Sequence, residues 1–136
     1  MEVLSEHDGL ITNVELLEHL RARQQQRSDA ADTRPAGDRD WIEEKISEHL
    51  CAANVSEGAQ GSAVAQGMLE ELEANPTFAR LKDAERLQLL NLRPAHPVEV
   101  YLIVEEYEER LTEEDAELLV DLVVRHSQAA AGAASQ

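Results

Sequence analysis

Between Lys82 and His126 the sequence KDAERLQLLNLRPAHPVEVYLIVEEYEERLTEEDAELLVDLVVRH carries three apolar stripes at helical spacing, separated by two breaks. Each run is too short to hold a helix alone in water, because nucleating a helix is costly and a short one gains few hydrogen bonds. The stripes must therefore bury one another, which requires a bundle of helices. Asp83 reads as the cap of the first run, where Ala84, Leu87 and Leu90, with Leu81 ahead of them, point one way. Arg93-Pro94 ends that run. Pro97 suits the first turn of the second run, where its missing N–H costs nothing, and Glu99 lies in the favourable field of that helix start. Val100, Ile103, Val104, Tyr107 and Leu111 then recur at i, i+3, i+4, i+7 and i+11, and Tyr101 and Leu102 widen the stripe. This predicts one continuous helix, the central and most buried of the fold. Thr112 and Asp115 form a variant of the capping box and open the third run. There Leu119, Leu122, Val123 and His126 share a face, with Leu118 adjoining and Arg125 in the last turn.

The rest of the chain reads as support for this unit. Thr12 or Asn13 can cap a helix along which Val14, Leu16, Leu17 and Leu20 recur, with Arg21 and Arg23 near its end. Gly9, Leu10 and Ile11 before it can form a short extended piece. The stripe is read either as a core face or, with Leu10 and Ile11, as a surface that joins a partner's sheet edge or groove. Residues 24–40 hold no Leu, Ile, Val or aromatic residue and so read as a mobile loop. Asp40 is the expected cap of a helix whose face carries Ile42, Ile46, His49, Leu50 and Ala53, with Trp41 at its start. Gly58 and Gly61 mark a break. Val64, Ala65, Met68, Leu69 and Leu72 then stripe a further helix that Asn75-Pro76 stops. Gly67 weakens that helix or permits close helix contact. Phe78 and Leu81 are expected core plugs. No useful period-2 alternation is present, so no substantial sheet is expected.

Composition narrows the function. With one Trp, one Phe and two Tyr, the core must be aliphatic. Asp and Glu number 28 against 12 Lys and Arg, a formal charge of -16. Such a surface repels phosphate backbones and suits docking to a basic protein. The single Cys51 excludes an internal disulfide and fits a reducing compartment. The acidic opening MEVLSEHDGL does not read as a signal peptide, and no window reaches the roughly 20 apolar residues of a membrane span.

No catalytic, metal or cofactor residue is expected. The five histidines do not pair with each other or with Cys51 at a ligand spacing, and neither Glu-His-Leu triplet has the second His a zinc-protease helix needs. Cys51 and His49 are two residues apart, on different helix faces. Above background stands only the acidic run Glu105, Glu106, Glu108, Glu109, Glu113, Glu114, Asp115 and Glu117, interrupted by Arg110. It reads either as a solvated face of two helices or as a docking patch for a basic partner.

Two strings carry a resemblance: LQLLN then RP (Leu87–Asn91, Arg93–Pro94), and VEE then EERLTEE (Val104–Glu106, Glu108–Glu114). Over Ala84–Leu119 the chain resembles the small stalk subunit of DNA-directed RNA polymerase III, also known as the calcitonin-gene-related-peptide (CGRP) receptor component family, which is related to the polymerase II and archaeal small stalk subunits. Leu10–Leu20 resembles that family's opening strand-and-helix segment more weakly. Lys82 departs from the family's usual Thr. The resemblance implies an all-α fold like the helicase-and-RNase-D C-terminal (HRDC) type, with an N-terminal strand/helix segment that packs on a partner. It implies a nuclear, non-catalytic subunit that forms a heterodimer with a larger stalk subunit bearing an oligonucleotide-binding (OB) barrel, joins the polymerase core and contacts the initiation factor. Autonomous nucleic-acid binding and nucleotide binding are not expected. The alternatives are the equivalent stalk subunit of another RNA polymerase, or an adaptor in receptor signalling.

The expected organisation is a partner-binding segment over 1–23, a mobile loop over 24–40, a helical HRDC-like domain over 41–126 and a flexible tail over 127–136. Leu10, Ile11, Val14, Leu16, Leu17 and Leu20 are the expected partner-binding residues, with Leu87, Leu90 and Arg93 as a second set. Glu105, Glu106, Glu108, Glu109, Glu113 and Glu114 are the expected contact for a basic initiation factor.

Overall fold

A computed structural model describes residues 2, 4–5, 9–30, 37–52 and 59–134. Among these the secondary structure is all helical, as expected, and contains no strand. The elements are α1 (Asn13–Asp29), α2 (Asp38–Ala52), α3 (Ala59–Ala74), a 3-10 turn (Phe78–Arg80), α4 (Asp83–Leu92), α5 (Pro97–Ile103), α6 (Tyr107–Arg110) and α7 (Glu113–Ala134). The chain divides into two compact units, one of residues 13–63 and one of residues 1–12 and 64–136, so the division falls inside α3.

In the 13–63 unit, α1 and α2 close on a small cluster of Val14, Leu17 and Leu50, with Leu16 and Ile46 packed against it. Both helices are longer than an apolar stripe alone predicts. Residues 24–29 continue α1, and α2 begins at Asp38, so Asp40 lies in its first turn rather than capping it. Ion pairs supply what apolar burial lacks. Arg27 bonds Glu43 and lies 3.6 Å from Asp40, and Arg23 lies 3.3 Å from Glu43. Glu43 thus takes a buried place on the inner face of α2, while Trp41, Ile42 and His49 are exposed. Residues 31–36 of the expected loop, Ala53 and Gly58 lie outside the described residues.

The second unit holds the main core. Met68 and Leu72 of α3, Phe78 and Leu81, Leu89 and Leu90 of α4, Val100 and Val104, and Leu119, Leu122 and Val123 of α7 are buried in one cluster. Asn75 stops α3 as expected, and its side chain accepts from the Thr77 N–H at 2.9 Å. A Cβ on Gly67 would lie 3.2 Å from the His126 ring, tighter than ordinary packing, so the glycine eases the close approach of α3 and α7 here.

Four local expectations are corrected. First, Lys82 rather than Asp83 caps α4, because the Glu85 carboxylate covers the Lys82 N–H at 2.8 Å. Second, the buried stripe of α4 runs through Glu85, Leu89 and Leu90, in line with Leu81 ahead of the helix, while Ala84 is exposed and Leu87 half-buried. A glutamate in the stripe disguised its period. Third, the predicted continuous helix over 97–111 is broken. Val104 is extended and Glu106 adopts a left-handed conformation (φ 52°, ψ 41°), which separates α5 from α6. Val100, Val104, Tyr107 and Leu111 are nonetheless buried, as their spacing suggested, whereas Leu102 is 86% exposed. Fourth, α7 continues to Ala134, into the stretch that composition reads as a tail, and Leu118 on it is exposed.

The helix starts obey local chemistry. Pro97 is the first residue of α5, and Glu99 accepts from the N–H groups of Ala95 and His96. Those two donors hold the Glu99 carboxyl below its usual range. At α7 the Thr112 N–H donates to Asp115 and the Asp115 N–H donates to the Thr112 hydroxyl, the reciprocal box read from the sequence.

Candidate partner-binding surface

The acidic run begins where α5 ends, and one buried carboxylate decides its shape. Glu85, 4% exposed, receives the N–H of Lys82, the N–H of Glu105 at 3.1 Å and both terminal nitrogens of Arg110, at 2.6 and 3.0 Å. Arg110 also donates to the carbonyl oxygens of Glu105 and Arg80. Burial alone would push the Glu85 carboxyl up. The Arg110 guanidinium and the two N–H groups outweigh that, and the carboxyl titrates below the usual glutamate range. The hub thus ties the 3-10 turn, the start of α4 and the α5–α6 turn together. Arg110, the one cation in the acidic run, is turned inward.

The carboxylates around it are turned outward. Glu105, Glu106, Glu108, Glu109, Glu113 and Glu114 are all exposed. Glu105 is paired with Lys82, and the other acids occupy a left-handed turn, the short α6 and the first turn of α7. The helix field at the start of α7 favours its acids there. The patch is therefore carried on a turn and two helix starts, not on the faces of two long helices.

The expected partner-binding residues fall into different environments. Leu10 and Ile11 are non-helical and more than half exposed. Val14, Leu17 and Leu20 are buried within the chain, and Leu16 is half-buried against Val14, Leu17 and Leu50. Leu90 is in the main core, Leu87 is half-buried, and Arg93 ends α4 in a left-handed conformation (φ 48°). Burial holds the Arg93 guanidinium below its usual range.

Sequence reasoning missed one surface. Val98, Tyr101 and Leu102 form an exposed apolar face on α5, opposite Val100 and Ile103, which reach the core. The signal was available: six of the seven residues of PVEVYLI are apolar or aromatic, too many for a one-sided helix. The Tyr101 ring lies against Tyr107, with centroids 3.7 Å apart. The Tyr107 hydroxyl donates to the Thr112 carbonyl at 2.7 Å.

Among the described residues no group of three acidic, histidine or cysteine side chains is placed to hold a metal ion, and no helix is long and apolar enough to cross a membrane. An open cleft of about 650 Å³ is lined by Gln24, Arg27, Asp40, Glu44, Ser47, Glu48 and Cys51. Among the described residues no histidine lines it beside Cys51. The family model described as RNA polymerase Rpb4 matches residues 10–127, a span that includes the exposed Leu10 and Ile11, the buried hub and the acidic patch.

Proposed function

We propose, because this chain belongs to the RNA polymerase Rpb4 family, that it is the small stalk subunit of DNA-directed RNA polymerase III. Members of the family are accessory, non-catalytic subunits of an RNA polymerase stalk, which heterodimerise with a larger stalk partner. The polymerase III branch rests on one observation, the strings Leu-Leu-Asn, Arg-Pro and Glu-Arg-Leu-Thr within Ala84–Leu119. In this reading the chain acts in the nucleus and supports transcription initiation.

The larger, OB-barrel subunit meets the N-terminal segment. Leu10 and Ile11 supply the direct contact, since they are exposed, and Val14, Leu16, Leu17 and Leu20 hold the α1–α2 pair that follows them in shape. Leu87 and Arg93 form a second contact near the end of α4, fixed there by buried Leu90. The outward carboxylates Glu105, Glu106, Glu108, Glu109, Glu113 and Glu114 meet a basic initiation factor, where opposite charge speeds encounter.

Affinity purification of the tagged full chain from native extract, with mass spectrometry of what it retains, tests the assignment. Polymerase III core subunits with the barrel-bearing stalk subunit are the expected result. Retention of only polymerase II subunits would keep the family and reject the branch. Retention of receptor components without any polymerase would replace the reading with the adaptor one.

A further inference from the structure

We propose that the outer face of α5 is a second docking site, and that its occupant is a basic amphipathic helix of another protein. Helix α5 is apolar on two sides. Val100 and Ile103 are taken up by the core, while Val98, Tyr101 and Leu102 stand at i, i+3 and i+4 with 66, 42 and 86% of their surface exposed. A helix apolar all round is normally covered all round, and a bare stripe at this spacing fits the anchors of a second helix laid alongside. Tyr101 is already positioned for such a contact. Its ring rests on Tyr107, which is itself fixed by its bond to the Thr112 carbonyl, so binding orders little that is free.

Charge selects the occupant. The chain runs directly from Leu102 into the exposed Glu105, Glu106, Glu108 and Glu109. Glu105 is matched by Lys82, and Arg110 is consumed by Glu85, so the turn and α6 that follow α5 carry the net negative charge of Glu106, Glu108 and Glu109. A second copy of this chain would bring its own carboxylates against these, which opposes self-association. A helix with Leu-type anchors flanked by Lys or Arg satisfies both the stripe and these carboxylates. This site shares Glu105, Glu106, Glu108 and Glu109 with the acidic contact proposed above, but its apolar stripe lies outside every contact named there, and its test requires no polymerase.

The probe is a fluorescently labelled synthetic helix of roughly 18 residues, long enough to fold on contact, with Leu at i, i+3, i+4 and i+7 and Lys elsewhere. It is titrated into the full chain by fluorescence anisotropy. Saturable binding is expected. Leu102→Asp and Val98→Asp, both at exposed positions, should weaken it at least tenfold with an unchanged melting temperature. The pair Glu108→Lys and Glu109→Lys should weaken it by a similar factor. Equal binding of a Lys peptide with scrambled Leu positions would reduce the site to charge alone and overturn the proposal. Equal binding of the same Leu pattern with Glu in place of Lys would overturn the choice of a basic partner. Unaltered binding by the two Asp variants would remove α5 from the site. Self-association of the unaltered chain that Leu102→Asp abolishes, seen by sedimentation, would make a second copy the occupant and reject the proposal.

Discussion

Arg110 reaches Glu85 across 25 residues of sequence and holds both of its carboxylate oxygens, at 2.6 and 3.0 Å. The pair is largely shielded, with the glutamate side chain 4% and the arginine side chain 23% exposed. It also explains why the chain departs from a helix at Val104–Glu106. The Glu105 N–H has left the helical ladder and is satisfied by Glu85, and the Glu105 carbonyl by Arg110.

Removing one member of such a pair leaves the other buried and uncompensated. Arg110→Met should cost about 3–5 kcal/mol, read from urea unfolding of the full chain. Arg110→Lys should cost roughly half as much, because one ammonium cannot replace a fork that serves two oxygens and two carbonyls. A loss below about 1 kcal/mol for Arg110→Met would mean that the turn is held by other contacts.

The same carboxyl gives an acid limb to stability. Its folded pKa is depressed, so its contribution is fully present above the unfolded glutamate value of about 4.3 and is lost as pH falls through the folded value. Glu43 and Glu71 shift the same way, through Arg27 and through His126 and Arg125 respectively. Unfolding free energy should therefore fall below about pH 4.3, and Glu85→Gln should flatten that slope. An unchanged slope in Glu85→Gln would assign the limb to the other carboxylates.

Tyr107 gives the opposite limb. Its hydroxyl is pushed up to about 12, first by burial and then by its contact with Tyr101. The folded state favours the neutral phenol, so this contribution is intact below the unfolded value of about 10 and disappears as pH rises toward the folded one. Tyr107→Phe should flatten the alkaline limb, which Lys45 and Lys82 share through their own upward shifts, and cost about 1 kcal/mol at neutral pH through the lost bond to Thr112. Calorimetric melting temperatures across pH 9–12 measure both effects.

Gly67 should behave differently in two backgrounds. Alanine at a helix interior is favoured over glycine by about 1 kcal/mol. Here its Cβ would meet the His126 ring at 3.2 Å, and Glu71 holds that ring at 2.7 Å, so Gly67→Ala should destabilise the native chain. With His126→Ala already in place the same substitution should stabilise, by about 1 kcal/mol. A sign that does not change between the two melts would locate the constraint elsewhere.

Partner binding and folding should separate along the N-terminal segment. Leu17, 1% exposed, lies in the α1–α2 core, so Leu17→Asp should cost about 3 kcal/mol or more and report on folding. Ile11 is more than half exposed, so Ile11→Asp should leave the melting temperature in place. It should weaken pairing with the barrel-bearing subunit at least tenfold in a co-purification titration. Undiminished pairing would move that contact away from residues 10–11.

Much of the second unit was legible residue by residue. Asn75-Pro76, Pro97 with Glu99, and Thr112 with Asp115 each act on backbone within four positions, and each sits where its local rule puts it. Aliphatic residues at helical spacing identified most of the core, from Met68 and Leu72 to Val123. The strings within Ala84–Leu119 pointed to a polymerase stalk subunit, and the family match over 10–127 agrees with that class. The N-terminal surface was legible only as a choice, since a stripe such as Leu16, Leu17 and Leu20 reads the same whether it meets this chain or another.

The sequence by itself determined the all-helical class, the starts of α5 and α7 and the acidic character of the surface, because propensity, capping and charge are properties of neighbours along the chain. The tertiary structure alone decided the break at Val104–Glu106 and which charged residues go inside. Glu43 and Glu85 look like surface glutamates to any local rule. Their partners Arg27 and Arg110 are 16 and 25 residues away, and burial of a carboxylate becomes favourable only when folding delivers such a cation. That long-range pairing also accompanies the extension of α1 beyond its apolar stripe and the end of α5 at Ile103, where the Glu105 N–H turns to Glu85.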